Sequence, residues 1–333
     1  MELKNRYEFM LLVEAENCNP NGDPDMGNLP RQDPDTGYGY ITDAAIKRRI
    51  RNYVMDAYAG KQGMDIFAKQ GASMNKEILE AVIEADNAKK AGKDILPAQA
   101  FCERYWDGRT FGGVLSTGKN AGQVRGAVQI AFAKSYDPID PQNITVTRMY
   151  YTEGNFDTVE EFDQADAKMS SDKKRTMGTK QFIPYGLYLV RGTVSANLAA
   201  KNGFSNEDLS VLFEALLQMY DNDASSSKTG MSVVSPLIIF KHVGISNANN
   251  KPEERTREAM LGCCGAHKLF NLLSVSKKDD IEVPRKYSDY DVVLNADAVP
   301  DGVETGIKDN PFDQVTWGSD AIKTLGLSDI VIR

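Results

Sequence analysis

A chain of 333 residues with 41% hydrophobic and 26% charged residues sits near the globular average and is long enough for one large or two ordinary domains, so wholesale disorder is not expected. No run approaches the roughly 18 apolar residues that span a bilayer, and the first residues, MELKNRYEFM, lack the layout of a signal peptide. A cytoplasmic protein without membrane contact is expected. The formal net charge of −8 argues against a general nucleic-acid binder, whose balance is ordinarily basic.

Distribution qualifies that argument. Positive charge is concentrated at Lys47 to Arg51 and Lys168 to Lys180, while Glu153 to Asp166 and Asp279 to Asp329 are mostly acidic. An acidic exterior with a basic groove confines a polyanion to one face. The cysteines, Cys18, Cys102, Cys263 and Cys264, show no zinc or CxxC spacing and read as reduced thiols. Two histidines, His242 and His267, cannot build a multi-histidine metal site in one subunit.

In chain order, Arg6 to Ala15 is a strand of aromatic and branched residues. It ends in a long polar loop with two similar turn signals, Asp-Pro-Asp-Met-Gly at 23–27 and Asp-Pro-Asp-Thr-Gly at 33–37. The loop's acidic residues read as Asx turns, because the D-x-D-x-D-G order of a calcium loop is missing. Thr42 or Asp43 caps a helix to about Tyr58, with Ile46, Ile50, Tyr53, Val54 and Ala57 on the core side. Lys47, Arg48 and Arg51 form a stripe beside that face. A solvated flank is the plainer reading, but no acidic residue four positions on neutralises the stripe.

Residues 60–110 carry helical segments at Ser73–Lys90 and Pro97–Trp106, an insertion after the first helix. The run Gly113 to Asn120, GVLSTGKN, approaches the P-loop pattern, but Asn120 replaces the magnesium-binding hydroxyl and no buried strand precedes it. Val124 to Lys134 reads as the second main strand and Pro184 to Val194 as the third. Between them lies an excursion from about Asp137 to Ile183, with a short strand at Ile144–Tyr151, an acidic arm and a basic arm. The basic arm carries Lys168, Lys173, Lys174, Arg175 and Lys180, with Met169 and Met177 between. Apolar tips flanked by cations suit wedging between bases while holding phosphates; a solvated loop is the default for a charge run.

Ser205 caps a helix to about Tyr220, with Leu209, Leu212, Phe213, Leu216 and Leu217 inward. Asp223–Ser232 reads as a flexible linker with Lys228 and Met231, and Pro236–Val243 as a strand ending at Lys241 and His242. A helix at Leu261–Leu273, a strand at Tyr290–Leu294 and an irregular tail follow. Without the excursions the order is strand, helix, strand, strand, helix, strand: an α+β, ferredoxin-like arrangement, a modified RNA-recognition fold lacking the aromatic RNP signatures.

The run Asn19-Pro20-Asn21-Gly22-Asp23-Pro24, with Gly27-Asn28-Leu29-Pro30-Arg31, Thr42-Asp43 and the Ile46-Lys47-Arg48 helix, resembles the Cas-seven backbone subunits of type I CRISPR surveillance complexes (Cascade), most closely the I-C branch. So do Gly178-Thr179-Lys180 leading into Pro184-Tyr185-Gly186-Leu187-Tyr188, and Phe240-Lys241-His242. The resemblance spans about the first 245 residues in order.

It implies a palm (1–59, 111–136 and 183–333), a helical finger insertion (60–110) and a thumb hairpin (137–182). The function implied is a non-catalytic subunit that binds CRISPR RNA without cofactor or metal, lines up with copies of itself as a filament and presents guide segments to target DNA. Base pairing then reads sequence. Other implied partners are a Cas-five-like guide-processing subunit and large and small subunits. The implied RNA contacts are Asn19, Asn21, Arg31, Lys47, Arg48, Arg51, Lys173, Lys174, Arg175, Lys180, Lys228, Met231, Lys241 and His242, with Met169 and Met177 as thumb wedges. The acidic Glu153–Asp166 arm departs from a fully basic thumb. The alternative is a metal-dependent endoribonuclease of the type III backbone kind, using Asp23 or Asp33.

Overall fold

The computed structural model describes residues 1–152, 154–171, 173–246, 251–325 and 330–332; Glu153 of the acidic arm and residues 326–329 of the acidic tail lie outside them. The strand β1 (Tyr7–Cys18) runs through the middle of a large antiparallel sheet. Tyr7, Phe9, Leu11, Val13 and Ala15 enter one core cluster, and Met10 and Leu12 enter another on the opposite face. A strand buried on both faces reads as a continuous apolar run, as this one does.

The chain continues through a small hairpin of β2 (Gly22–Asp23) and β3 (Leu29–Pro30), then β4 (Tyr38–Ile41) and α1 (Asp43–Ala57). Thr42 caps α1, its hydroxyl accepting from the Ala45 N–H at 3.3 Å. Ile46, Ile50, Tyr53 and Val54 are buried as the periodicity predicts; Ala57, in the last turn, is exposed instead. The helices α2 (Met74–Lys90), α3 (Pro97–Arg104) and α4 (Trp106–Phe111) follow, then a hairpin of β5 (Gly112–Val114) and β6 (Gln123–Arg125). Phe67, Ile78, Phe101, Tyr105, Leu115 and Val124 form a separate core here.

The single strand expected at Val124–Lys134 is therefore divided. Val124 belongs to the insertion's core, and only β7 (Val128–Ile130) and β8 (Ala133–Pro138) join the main sheet, both on β10 (Thr176–Val194). Between β8 and β10 lie β9 (Gln142–Arg148) and α5 (Val159–Lys168). After β10 come α6 (Ala196–Asn202), α7 (Asn206–Gln218), β11 (Met231–Val233) and β12 (Leu237–His242). Ser205 caps α7, and all five predicted core residues of that helix are buried.

The C-terminal segment differs most from expectation. The helix predicted at Leu261–Leu273 breaks at Gly262–Gly265 into α8 (Pro252–Leu261) and α9 (Ala266–Phe270), and Leu273 opens β13 (Leu273–Lys277). Beyond β14 (Tyr290–Leu294), the tail read as irregular forms β15 (Val303–Lys308), β16 (Thr316–Trp317), α10 (Gly318–Leu325) and β17 (Ile330–Ile332).

Among the described residues the main sheet runs β16-β15-β12-β1-β10-β8-β4. Taken in chain order, β1, β8, β10 and β12 lie side by side as fourth, first, third, second, with β1 antiparallel to both β10 and β12. The helices α1 and α7 cover the face that holds Phe9, Leu11 and Val13. Leu269, Leu273, Tyr290, Val292, Leu294, Ala321 and Leu325 cover the other, against Met10, Leu12, Leu187 and Phe240.

Candidate nucleic-acid interface

The loop that leaves β1 is tied down by its own amides. Asn19 is 2% exposed; its Nδ2 donates to the Asn28 carbonyl at 2.8 Å, and its buried Oδ1 has no hydrogen-bond partner. Asn21 Oδ1 accepts from the Thr42 N–H at 2.9 Å, which joins the loop to the start of α1. A Cβ at Gly22 would lie 2.0 Å from Asn28 Oδ1, so a side chain there would displace the Asn28 amide. Arg31 donates to Asp23 at 3.2 Å and its backbone N–H to the Asn21 carbonyl at 2.9 Å. Asn19 is therefore positioned to shape the loop from within.

The cation stripe on α1 is less free than the sequence suggests. Lys47 lies 2.8 Å from Asp43, the acidic partner sitting four residues before it, not after. Arg51 donates to Asp107 at 2.7 Å, a carboxylate 1% exposed that also accepts from the Phe67 and Ala68 N–H groups. Both cations lie over the Phe111 ring. Arg48 alone of the three has a neutral partner, Gln70 Oε1 at 3.1 Å.

Of four predicted contacts near the second half of the sheet, two are buried and two are half-buried. Met231 is 3% exposed, pairs with Ala15 and belongs to the core. His242 is fully buried: its Nδ1 accepts from the Cys263 N–H at 2.9 Å, so Nε2 carries the proton and donates to Glu8 at 2.6 Å. Neither side chain reaches the surface, so neither is placed to touch RNA as the sequence suggested. Lys241 lies 3.7 Å from Glu304 and over the Trp317 ring. Lys228 turns inward, Nζ donating to the Asn19 and Pro20 carbonyls at 2.5 and 2.6 Å. Burial first, then the Arg49 charge, lowers its pKa to about 8.

Beside the loop, β9 and the first residues of β10 form a two-stranded ribbon with every β9 residue exposed. Residues directly opposite on paired strands share a face. Ile144 with Lys180, Val146 with Gly178 and Arg148 with Thr176 therefore make one face; Thr145 with Thr179 and Thr147 with Met177 make the other. Met177 is 78% exposed on a neutral face, opposite to that of Lys180. Met169 is half-buried at the end of α5, the helix into which the acidic arm folds, and Lys173 and Arg175 are exposed with Lys174 half-buried. Among the described residues, none of Arg148, Lys173, Lys174, Arg175 and Lys180 forms an ion pair. Arg148 was not singled out from sequence; the alternation Ile144-Thr145-Val146-Thr147-Arg148 is the signal that places it on the face of Ile144 and Val146, and the pairing puts Lys180 on that same face, nearer the base of the ribbon.

The carboxylates of the loop are engaged. Asp23 accepts from Asp25 N–H at 3.1 Å as well as from Arg31. Asp33 accepts from Asp35 N–H at 3.0 Å and the Tyr40 hydroxyl at 3.1 Å, and hydrogen bonds led by the Asp35 amide lower its pKa. Among the described residues, no three His, Cys, Asp or Glu side chains are grouped to hold a metal. The P-loop-like run joins β5 to β6, so a strand follows where a nucleotide-binding loop needs a helix.

Fold and surface define an α+β protein built on one large antiparallel sheet, from which a cationic ribbon projects. The family profile described as CRISPR-associated protein Cas7 matches residues 5–295. A relative from Haloferax volcanii, named CRISPR-associated protein Cas7, is 31% identical over 247 residues, covering 69% of this chain and 68% of its own. The chain belongs to the Cas7 family. A chain of a solved "CRISPR RNA-guided surveillance complex, pre-nicking" is similar with a TM-score of 0.46 at 15% identity, over 78% of this chain and 83% of that one. A second, from a "CRISPR RNA-guided surveillance complex", gives 0.41 at 13%, over 76% and 80%.

Proposed function

We propose that this chain is the non-catalytic backbone subunit of a cytoplasmic type I Cascade complex, most closely type I-C. Copies of it assemble side by side along CRISPR RNA and present guide segments to target DNA. Within this reading the sheet with α1 and α7 is the ferredoxin-like palm, residues 60–110 the finger and the ribbon with α5 the thumb. The observation that carries it, beside family membership, is the ribbon with the turn that leads into it: five cations without an acidic partner among the described residues, next to a loop braced from behind. Guide phosphates are then held by Arg48, Arg148, Lys173, Lys174, Arg175 and Lys180, with the loop at Asn21 and Arg31 setting the backbone path. Both faces of the central sheet are covered, so bases do not stack on it as they do on an open RNA-recognition sheet.

Purified protein is expected to carry RNA, seen as a raised ratio of absorbance at 260 to 280 nm, and to lose both this ratio and its large hydrodynamic size on ribonuclease treatment. A monomer indifferent to the nuclease would overturn the reading. The endoribonuclease alternative is tested by incubating the assembled complex with complementary RNA and magnesium, where regularly spaced cuts are expected only of the nuclease.

A further inference from the structure

Within the Asp223–Ser232 stretch, read from sequence as a flexible linker, the Asp223–Gly230 segment is fixed at both ends. At one end α1 holds it: Arg49 donates to the Asp223 carbonyl at 2.8 Å and lies 2.5 Å from its carboxylate, and Asn52 donates to the same carboxylate at 2.5 Å. At the other end the outgoing turn of β1 holds it, with Glu16 N–H on the Gly230 carbonyl at 2.8 Å and Asn19 N–H on the Ser227 carbonyl at 2.9 Å. The approach is so close that a Cβ at Gly230 would stand 1.7 Å from the Glu16 carbonyl oxygen. Between these anchors Lys228 places two N–H donors on consecutive carbonyls, those of Asn19 and Pro20.

We propose that Lys228 is a positioning residue, not an RNA contact: it clamps the Asn19–Pro20 backbone to a strap anchored on α1, so that the loop and the helix hold one fixed relation before guide RNA arrives. This rests on the reading of the chain as a guide-RNA holder. Preorganisation of this kind raises affinity by removing the ordering cost from the binding step. A compact ammonium is suited to the task, because a single nitrogen reaches both carbonyls at 2.5 and 2.6 Å, whereas the larger planar guanidinium of arginine cannot occupy the same point.

The test compares wild type, Lys228→Met and Lys228→Arg, full length and cleared of RNA, for binding to a fluorescein-labelled single-stranded RNA across a salt series. Each phosphate contact on a single strand contributes about 0.7 to the slope of log affinity against log salt. Lys228→Met is expected to weaken binding about tenfold or more with the slope unchanged, and Lys228→Arg to fail to rescue it. A slope lowered by about 0.7 together with rescue by arginine would make Lys228 a phosphate contact and overturn the proposal, as would unchanged affinity.

A measurement on wild type stands apart from the folding of either variant. Amine labelling read by mass spectrometry is expected to be slow at Lys228 both without and with RNA. Fast labelling that RNA suppresses would overturn the clamp. If wild type binds no RNA, the functional reading fails, while the labelling of the free protein still tests the clamp.

Discussion

Arg51 and Asp107 stand 2.7 Å apart with the carboxylate 1% exposed, so charge reversal here is a stability experiment before it is a binding one. Arg51→Glu removes the partner of a buried charge and sets a second carboxylate against it, which costs about 3 kcal/mol or more. A lowered midpoint of thermal unfolding is the expected result, whereas Arg48→Glu, whose partner among the described residues is the neutral Gln70, leaves the midpoint unchanged and weakens RNA binding. Buried thiols contribute to the loss of stability in alkali. Burial pushes the Cys18 thiol up to about 12 and the Cys102 thiol up to about 11. Unfolded thiols ionise near about 8.5. The fold holds these protons longer than the unfolded chain, so this part of the stability is fully present below pH about 8.5 and is lost as pH rises towards 12. Urea unfolding at pH 7 to 11 checks it, with a shallower decline expected for Cys18→Ala.

At this scale the sequence was a fair guide to residue type and a poor one to commitment. The periodicity of α1 located its four buried side chains, but nothing near Lys47, Arg51 or His242 in sequence reveals Phe111, Asp107 or Glu8 across the fold. Met231 read as a linker residue because β11 is too short to show alternation.

Among the elements, the ribbon was legible in its basic arm and not in its geometry. Lys180 and Met177 were read as parts of one cationic wedge, yet the pairing of β9 with β10 sends them to opposite faces, a consequence of the two-residue period that only the register fixes. Because Gln142 and Phe182 are paired at the base of the ribbon, replacing residues 143–181 by an Asn-Gly turn closes a hairpin without touching either core. This shortened chain is expected to keep its circular dichroism spectrum and solubility and to lose RNA-dependent assembly on size-exclusion chromatography. A smaller change, Lys173→Ala with Lys174→Ala and Arg175→Ala, is expected to lower the salt slope of RNA binding by roughly 2 with no change in thermal midpoint.

For the whole molecule the decisive feature is a sheet enclosed on both sides. The strand and helix order was readable because β1, α1, α7 and β12 carry long, clean apolar patterns. The second cover was not, since β13, β14 and β17 are short and find one another only through the sheet they hide. Ending the chain at residue 251 exposes Met10, Leu12, Leu187 and Phe240 together, and an apolar face of that kind aggregates. Expression in the insoluble fraction is the expected outcome.

The strand β10 is continuous from Val194, paired with Tyr7 in the middle of the sheet, to Thr176, paired with Arg148 at the far end of the ribbon. Its nineteen residues at about 3.3 Å each form a beam of roughly 60 Å. The ribbon's angle is therefore no free hinge setting; it is dictated by the right-handed twist of the sheet from which the beam emerges. If copies assemble as proposed, those that dock through that angle would turn by the same increment each time, and a head-to-tail contact that does not close grows as a screw. In the proposed filament, the pitch of such a screw would be set by the protein's own strand, and the guide RNA would follow it.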